Sequence, residues 1–224
     1  MAPVTDELPS PEAQAKAAEY TVFDREGKEH RFQDLYNKNG PGATDRTLII
    51  FVRHFFCCSC QEFLQHLSQS ITPEYLSHLP HRTSIAVIGC GEASLIDFYA
   101  QQTNCPYPIY CDPGRKLYDE LGMIKTWEVG LGSQTGYISK SLLRQVVEGV
   151  WQGLRHIPSG KVLKGGPSDQ VGGEFLFESG GGGEGKRVTW CHRMASSRGH
   201  TEIPGLAGVL SGGEVPEGFG GARR

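Results

Sequence analysis

The sequence predicts an α/β fold, because strand-like and helix-like patterns alternate through its first half. Two continuous apolar runs, at 47–51 and 85–88, have the composition of strands that are buried on both faces. Each run is followed by apolar residues at helical spacing, at 60–67 and at 95–102. This order of elements is typical of a parallel sheet with right-handed crossover connections.

An N-terminal β-hairpin precedes the alternating part of the chain. Residues 20–23 and 30–32 are rich in β-formers and are separated by a polar turn. A third strand at 108–111 and a short helix at 115–121 complete the alternating part, and Gly122 ends that helix.

A second hairpin is predicted near the C-terminus. Its strands lie at 174–177 and 187–190 and are joined by the Gly-rich loop 179–186, which lacks the signature of a phosphate-binding loop. In this topology the first of these strands runs antiparallel to the strand at 47–51. A short helix near 203–210 follows and closes the domain.

The clearest amphipathic pattern of the chain covers residues 139–156. Its apolar residues repeat at intervals of three and four, which predicts a helix. Such a helix either covers the sheet or binds a partner, and the pattern leaves both alternatives open. The apolar positions are Leu142, Leu143, Val146, Val147, Val150, Trp151 and Leu154.

The two ends of the chain differ in composition from the part between them. Residues 1–18 contain three prolines and no apolar period, so we expect a flexible leader. Residues 211–224 are rich in glycine and predict a flexible tail. The domain is therefore expected to span 19–210, with the helix at 139–156 inserted in it.

Composition and charge exclude several classes of protein. The 22 Lys and Arg residues and 25 Asp and Glu residues give a net charge of −3, without the basic excess typical of nucleic-acid binders. The longest apolar run, 48–52, is far too short to cross a bilayer, and residues 1–19 lack the apolar core of a secretory signal. We therefore expect a cytoplasmic protein without membrane partners, whose seven cysteines are reduced unless chemistry uses them.

A CxxC motif, Cys57-Cys58-Ser59-Cys60, stands where the first buried strand meets its helix. The free N–H groups and the dipole at a helix N-terminus stabilise an anion, so a thiolate is favoured there. Cys57, at the start of the helix, is the candidate exposed nucleophile. Cys60, one turn later on the same face, is the candidate resolving thiol and can close a disulfide with it.

Two other interpretations of these cysteines remain open. A zinc site would need further ligands, of which Cys191 and His192 are the nearest candidates, but adjacent residues seldom both bind one tetrahedral metal. Inert buried thiols are the second alternative. The cysteines outside the pair are expected to be packed thiols, and we expect neither a metal nor an organic cofactor. They are Cys58, Cys90, Cys105, Cys111 and Cys191.

Four residues are candidates to support the thiols. Arg53 and His54 precede the helix start and could hold a thiolate or orient a proton donor. Gly173, at the start of the antiparallel strand, would leave room for a substrate backbone beside the motif. Arg193 should emerge at the same edge of the sheet, where it would orient an anion or a peroxide, or else form a structural salt bridge.

Several blocks of the sequence resemble one family. Residues 51–62, FVRHFFCCSCQE, resemble the strand-to-CxxC signature of peroxiredoxin-like proteins with an alkyl-hydroperoxide-reductase/thiol-specific-antioxidant (AhpC/TSA) domain. Further blocks, in the same order, lie at 87–89, 110–122, 172–177 and 190–194. The resemblance implies a thioredoxin-like fold, a three-layer α/β/α sandwich around a mixed sheet.

The resemblance also has departures at the motif itself. Peroxiredoxins carry Pro-x-x-x-Thr-x-x-Cys, and counting back from Cys60 places Arg53 and Cys57 at the Pro and Thr positions. Counting back from Cys57 restores neither residue. Thioredoxins have a Trp-Cys-Gly-Pro-Cys motif and a cis-proline where this chain has Gly173. Which of the two thiols attacks first is therefore left open.

The activity implied by the resemblance is that of a thiol-dependent oxidoreductase. Cys57 and Cys60 would cycle between dithiol and disulfide on a peroxide or disulfide substrate, and an external thioredoxin or glutathione system would reduce them again. The alternative is a non-catalytic module for redox sensing or scaffolding, which would bind proteins through its surface and the helix at 139–156.

Overall fold

The computed structural model describes residues 4–37, 40, 43–128, 164–179 and 185–213. Within these ranges seven strands form one sheet in the order β2-β1-β5-β4-β3-β6-β7. The strands are β1 (Thr21–Phe23), β2 (Glu29–Arg31), β3 (Arg46–Phe51), β4 (Thr83–Gly89), β5 (Ile109–Cys111), β6 (Gly173–Ser179) and β7 (Lys186–Arg193).

The sheet is mixed, as its connections require. β3, β4 and β5 are parallel neighbours, while β6 runs antiparallel to β3, and β7 antiparallel to β6. At the other edge β1 pairs antiparallel with both β2 and β5. The predicted α/β thioredoxin-like fold, with an N-terminal hairpin and a C-terminal hairpin followed by a helix, is confirmed.

The described helices are α1 (Pro11–Ala18), α2 (Cys58–Ser70), α3 (Pro73–Ser77), α4 (Ile96–Thr103), α5 (Lys116–Glu120) and α6 (Ile203–Ser211). The sequence predicts α2, α4, α5 and α6 but not α3, because the two apolar residues of α3, Tyr75 and Leu76, are adjacent and show no helical spacing. α3 begins instead with local signals: the Thr72 side chain accepts a hydrogen bond from the Tyr75 N–H, and Pro73 is the first helical residue.

Two apolar layers lie on opposite faces of the sheet, since alternate strand residues point to opposite sides. Leu48 and Ile50 of β3 belong to the layer that α2, α4 and α6 cover. Ile49 and Phe51 belong to the layer that α1 and α5 cover. This arrangement is the three-layer sandwich, and it places the start of α2 in the first of the two layers.

The range 1–18, for which the sequence predicts a flexible leader, contains α1. The Ser10 side chain accepts a hydrogen bond from the Ala13 N–H at the start of this helix, and the helix buries Ala17. The Gln14 side chain accepts a hydrogen bond from the Val188 N–H of β7. A side-chain cap and contacts with a distant strand thus stabilise α1. Neither of these produces a periodic pattern of apolar residues that could be recognised in the sequence.

Some predicted features lie outside the described residues. These are the amphipathic helix at 139–156, positions 180–184 of the Gly-rich loop and positions 214–224 of the tail. Within the described residues no helix has the length and apolar character needed to cross a membrane.

Candidate active site

A tightly packed turn connects β3 to α2 and positions the CxxC motif. The Phe55 N–H donates to the Gly165 carbonyl at 3.0 Å, and the Phe55 ring lies over Gly89 and Gly91. A Cβ atom at either glycine would overlap this ring. The two glycines at the end of β4 therefore let the turn approach closely and fix where α2 begins.

Cys57 is the N-cap residue of α2, and three groups surround its sulfur. The Cys60 N–H and the Arg53 Nη1 both donate to Cys57 Sγ at 3.4 Å, and Ser59 Oγ lies 3.2 Å from it. The sequence predicts an exposed thiol at this position, but Cys57 is only 4% exposed. The difference arises because the turn and the Arg53 side chain close over the helix start, which the local sequence pattern does not reveal.

The two thiols of the motif differ in acidity. A hydrogen bond from the Cys60 thiol, together with the charge of Arg53, holds the pKa of Cys57 well below the ordinary value of a thiol. Burial and the hydrogen bond to Cys57 raise the pKa of Cys60 well above that value. Of the two thiols, Cys57 is therefore the one that ionises first as the pH rises.

Arg53 is anchored so that its charge faces the thiolate. Its Nε donates to the Gln170 carbonyl at 3.1 Å, and its Nη2 donates to the Ser168 carbonyl. Both of these acceptors are neutral, so the guanidinium charge acts on Cys57. His54 is half-buried, and burial lowers the pKa of its ring. It is therefore mostly neutral near pH 7.

Cys60 contacts a buried histidine that the sequence analysis does not identify. His200 Nε2 lies 3.4 Å from Cys60 Sγ, and His200 Nδ1 lies 2.5 Å from Glu174 Oε1. The side chains of His200 and Glu174 are 1% and 0% exposed. The Phe63 ring stacks on the imidazole, with ring centres 4.1 Å apart and planes 4° from parallel.

Neither His200 nor Glu174 belongs to a recognisable sequence motif, so the sequence alone does not identify them as site residues. Glu174 is the one charged residue in the apolar run 173–177, and this exception is the signal that was available. His200 lies in an irregular segment before α6 and is 140 positions from Cys60 in the chain. The pairing of β6 with β3 places Glu174 beside the strand that leads to α2, and Glu174 in turn contacts His200.

The two remaining candidates, Gly173 and Arg193, are paired with each other across β6 and β7. Gly173 is paired with Phe51, and a Cβ atom there would meet the His192 carbonyl at 2.5 Å, so its space is filled by the neighbouring strand. Arg193 donates to the carbonyls of Leu121, Thr5 and Glu7 at 2.7–2.9 Å. These contacts give Arg193 a structural role in holding residues 5–7.

The cysteines outside the CxxC pair lie elsewhere in the fold. All seven cysteines lie in the described ranges and are free thiols. Cys90 Sγ donates to the Arg53 carbonyl at 2.9 Å, and Cys191 belongs to the apolar layer on the opposite face of the sheet. Among the described residues, no group of three or more His, Cys, Asp or Glu side chains could hold a metal ion.

The geometry supports two-electron thiol chemistry. A thiolate held by a helix start and a guanidinium is a nucleophile, and a protonated thiol one turn away can attack the oxidised form. A buried imidazole–carboxylate pair touches that second thiol.

Comparison with known proteins identifies a family for this chain. Residues 66–196, more than half of the chain, match the family model described as AhpC/TSA antioxidant enzyme. The match starts after the CxxC motif. Peroxiredoxin-like 2C of Homo sapiens is 28% identical over 191 residues, covering 84% of this chain and 76% of that protein. The Mus musculus protein of the same name is 27% identical, with the same coverage of both chains.

Solved structures with lower identity are also similar. The bacterioferritin comigratory protein of Xanthomonas campestris is 12% identical, covers 93% of this chain and 94% of its own, and has a TM-score of 0.48. A secreted disulfide oxidoreductase of Mycobacterium tuberculosis is 7% identical, covers 88% of this chain and 98% of its own, and has a TM-score of 0.45.

The sheet order, the thiol pair at the start of α2 and the family match point to the same conclusion. The chain belongs to the AhpC/TSA antioxidant enzyme family and is a peroxiredoxin-like protein with a thioredoxin-like fold.

Proposed function

We propose that this protein is a thiol-dependent oxidoreductase that reduces a hydroperoxide through a Cys57–Cys60 disulfide. The observation that carries the proposal is the unequal pair of thiols at the start of α2. Cys57 is held as a thiolate by Arg53 and the helix N–H groups, while Cys60 remains protonated beside it.

The reaction has two chemical steps. The Cys57 thiolate attacks one oxygen of the peroxide, the O–O bond breaks, and the alkoxide leaves and takes up a proton as an alcohol. Cys57 is oxidised to a sulfenic acid by this two-electron step. Cys60 then attacks the Cys57 sulfur, the S–O bond breaks, and the hydroxide leaves as water after protonation. The product is a Cys57–Cys60 disulfide.

An external thiol completes the cycle. Thiol–disulfide exchange with a dithiol protein of the thioredoxin type, or with glutathione, would return both cysteines to the reduced state and oxidise the donor. The family supports a peroxide as substrate and a thiol as reductant in general.

The order of attack is tested by single-turnover oxidation with one equivalent of hydrogen peroxide and mass mapping of the products. We expect the wild type to form a Cys57–Cys60 disulfide. Cys60→Ser should accumulate a sulfenic acid on Cys57 that dimedone traps, and Cys57→Ser should lose the fast reaction. Because Cys58 could replace Cys60, the comparison also includes the Cys58→Ser/Cys60→Ser double variant.

Cys105→Ser is the matched control, since Cys105 is a partly buried thiol outside the motif, and burial raises its pKa. It should react like the wild type. If dimedone traps a sulfenic acid on Cys60 in Cys57→Ser but none on Cys57 in Cys60→Ser, then Cys60 is the attacking thiol and Cys57 the resolving thiol. One oxidation without steady consumption of hydroperoxide in the presence of thioredoxin, thioredoxin reductase and NADPH would instead favour a redox sensor.

A further inference from the structure

The buried pair of His200 and Glu174 has no part in the reaction described so far, although it touches one of the two thiols. Removing an ionisable pair from water costs free energy. Replacing such a pair with well-packed apolar residues of the same volume often leaves a protein equally stable or more stable. Both side chains of the pair are almost completely buried, and the Phe63 ring covers one face of the imidazole. Stability alone gives little reason for it to be there.

We propose that His200 is the general base that removes the proton of Cys60 when Cys60 attacks oxidised Cys57, and that Glu174 positions the His200 ring for this step. The inference deepens the proposed function and rests on it, because it assigns a residue to the second of its two steps.

The hydrogen-bond partners define which nitrogen is the base. An ionised carboxylate only accepts hydrogen bonds, so a carboxylate at Glu174 requires the proton on His200 Nδ1, 2.5 Å away. In the neutral imidazole the other nitrogen, Nε2, then has its lone pair free. This nitrogen faces Cys60 Sγ at 3.4 Å, within the range of a hydrogen bond to sulfur. The thiol of Cys60 can therefore donate its proton to Nε2.

The ring has little freedom to leave this position. Phe63, from the same helix as Cys60, stacks on one face of the imidazole. The Thr201 Oγ1 donates to the second carboxylate oxygen of Glu174 at 3.1 Å. Glu174 itself is held within β6, where it pairs with Ile50 on one side and His192 on the other. A carboxylate fixed by the sheet thus fixes the imidazole, and the imidazole is fixed against the thiol.

The single proton of Cys60 has two acceptors in reach, and the oxidation state of Cys57 decides between them. In the reduced protein the Cys60 thiol donates to the Cys57 thiolate. Once Cys57 is a sulfenic acid, its negative charge is gone, and His200 Nε2 is the remaining base. Burial raises the pKa of Cys60, so Cys60 forms little thiolate without such a base.

The step balances in protons and electrons. His200 takes the proton of Cys60, and the Cys60 thiolate attacks the Cys57 sulfur. The leaving hydroxide takes the proton back from the imidazolium and departs as water. Cys57 is reduced from sulfenic acid to disulfide as Cys60 is oxidised, and His200 returns to its neutral form.

The test separates the two steps with two small probes. The chain carrying Cys58→Ser and Cys105→Ser is mixed either with hydrogen peroxide or with methyl methanethiosulfonate, and samples are quenched with acid over time. Mass spectrometry follows the first product on Cys57, a sulfenic acid or a methylthio adduct, and its decay to the Cys57–Cys60 disulfide. In the second case Cys60 expels methanethiol, so no peroxide is needed.

In this background, His200→Gln should leave the first step unchanged and slow the second about 100-fold with both probes. Glutamine has a similar volume and no basic nitrogen, so packing is largely kept while the base is lost. Glu174→Gln should slow the second step less, because the ring stays but its tautomer is no longer fixed. His78→Gln removes an exposed histidine directly after α3 and should change neither step.

A second step in His200→Gln within threefold of the background rate overturns the inference, whatever the peroxide result. Slowing of both steps equally also overturns it, since that is the signature of a general loss of packing. If His200→Gln does not fold, His200→Asn and Glu174→Gln decide by the same ratio of rates. The protein could also form the disulfide with the thiosulfonate at a rate that depends on His200, yet fail to react with peroxide. That result supports the role of His200 and contradicts the proposal that a peroxide is the substrate.

Discussion

Arg53 brings a positive charge to the buried thiolate, and one substitution tests how much the acidity of Cys57 depends on it. Arg53→Met keeps a long apolar side chain and removes both the charge and the donor to Cys57 Sγ. Because the thiolate loses its nearest cation, we expect alkylation of Cys57 at pH 7 to slow about tenfold and its pH midpoint to rise. Iodoacetamide labelling with peptide mass mapping between pH 5 and pH 10 measures both quantities.

Arg193→Met is the matched control, because Arg193 is an equally buried arginine that donates to the carbonyls of Leu121, Thr5 and Glu7. It should leave the pH midpoint of Cys57 where it is in the wild type. Arg53→Lys, which keeps the charge, should give an intermediate rate. If the pH midpoint of Cys57 alkylation is the same in Arg53→Met and the wild type, Arg53 does not set the acidity of Cys57.

At the scale of single residues, the sequence predicts the thiols and misses their partners. Cys57, Cys60 and Arg53 lie within eight positions of one another, so a strand followed by a capped helix suffices to place them together. His200 and Glu174 approach Cys60 only through tertiary pairing, and a lone histidine in an irregular segment has no local pattern. The burial of Cys57 depends in part on such pairing too, because the carbonyls of Ser168 and Gln170 hold the Arg53 side chain that covers the thiol.

At the scale of elements, the start of β6 depends on a residue without a side chain. A Cβ atom at Gly172 would overlap the carbonyl oxygen of Phe51 in β3 and come within 3.3 Å of Met194 Sδ. We expect Gly172→Ala to lower the free energy of unfolding by about 2–4 kcal/mol, since the backbone of the central strand cannot yield cheaply. Urea unfolding followed by circular dichroism measures the loss.

Gly114→Ala is the control for this prediction, because the nearest atom to a Cβ there is 3.7 Å away, which is ordinary contact. Its free energy of unfolding should stay within about 1 kcal/mol of the wild type. Equal stability of the two alanine variants would show that β6 shifts to relieve the overlap.

Most of the elements could be predicted because each carries its own signal. Apolar runs mark β3 and β4, the helical period marks α2, and β-formers around polar turns mark the hairpins. α1 and α3 could not be predicted in this way, because neither shows the apolar period of α2 and both begin at a side-chain cap, Ser10 and Thr72. A capping side chain contributes about 1 kcal/mol, which becomes decisive only when tertiary contacts add to it.

At the scale of the whole molecule, the buried thiols predict a loss of stability in alkali. Burial raises the pKa of Cys90 and of Cys111 to about 12 each, whereas thiols of the unfolded chain ionise near ~8.5. A raised folded pKa means that stability is complete below ~8.5 and is lost as the pH rises toward 12. Each such thiol lowers the free energy of unfolding by about 1.4 kcal/mol per pH unit in this window.

Urea unfolding of the reduced protein between pH 8 and pH 11 tests this expectation. Cys90→Ala and Cys111→Ala should each make the decline with pH shallower by about 1.4 kcal/mol per pH unit at the upper end of the range. Cys57→Ala should leave the slope above pH 9 unchanged, since Cys57 has a lowered pKa and is ionised there in both states. An unchanged slope in Cys90→Ala and Cys111→Ala would contradict the prediction.

The contact between Cys60 and His200 spans 140 positions of the chain, and this separation has a consequence for synthesis. The N-terminal part of a nascent chain leaves the ribosome first, so the CxxC motif emerges well before the residues that tune it. Until the last strands and α6 are made, Arg53 lacks the carbonyls of Ser168 and Gln170, and Cys60 lacks its imidazole. The growing chain therefore carries both thiols without their distant partners, and the site is complete only after the C-terminal segments have been translated.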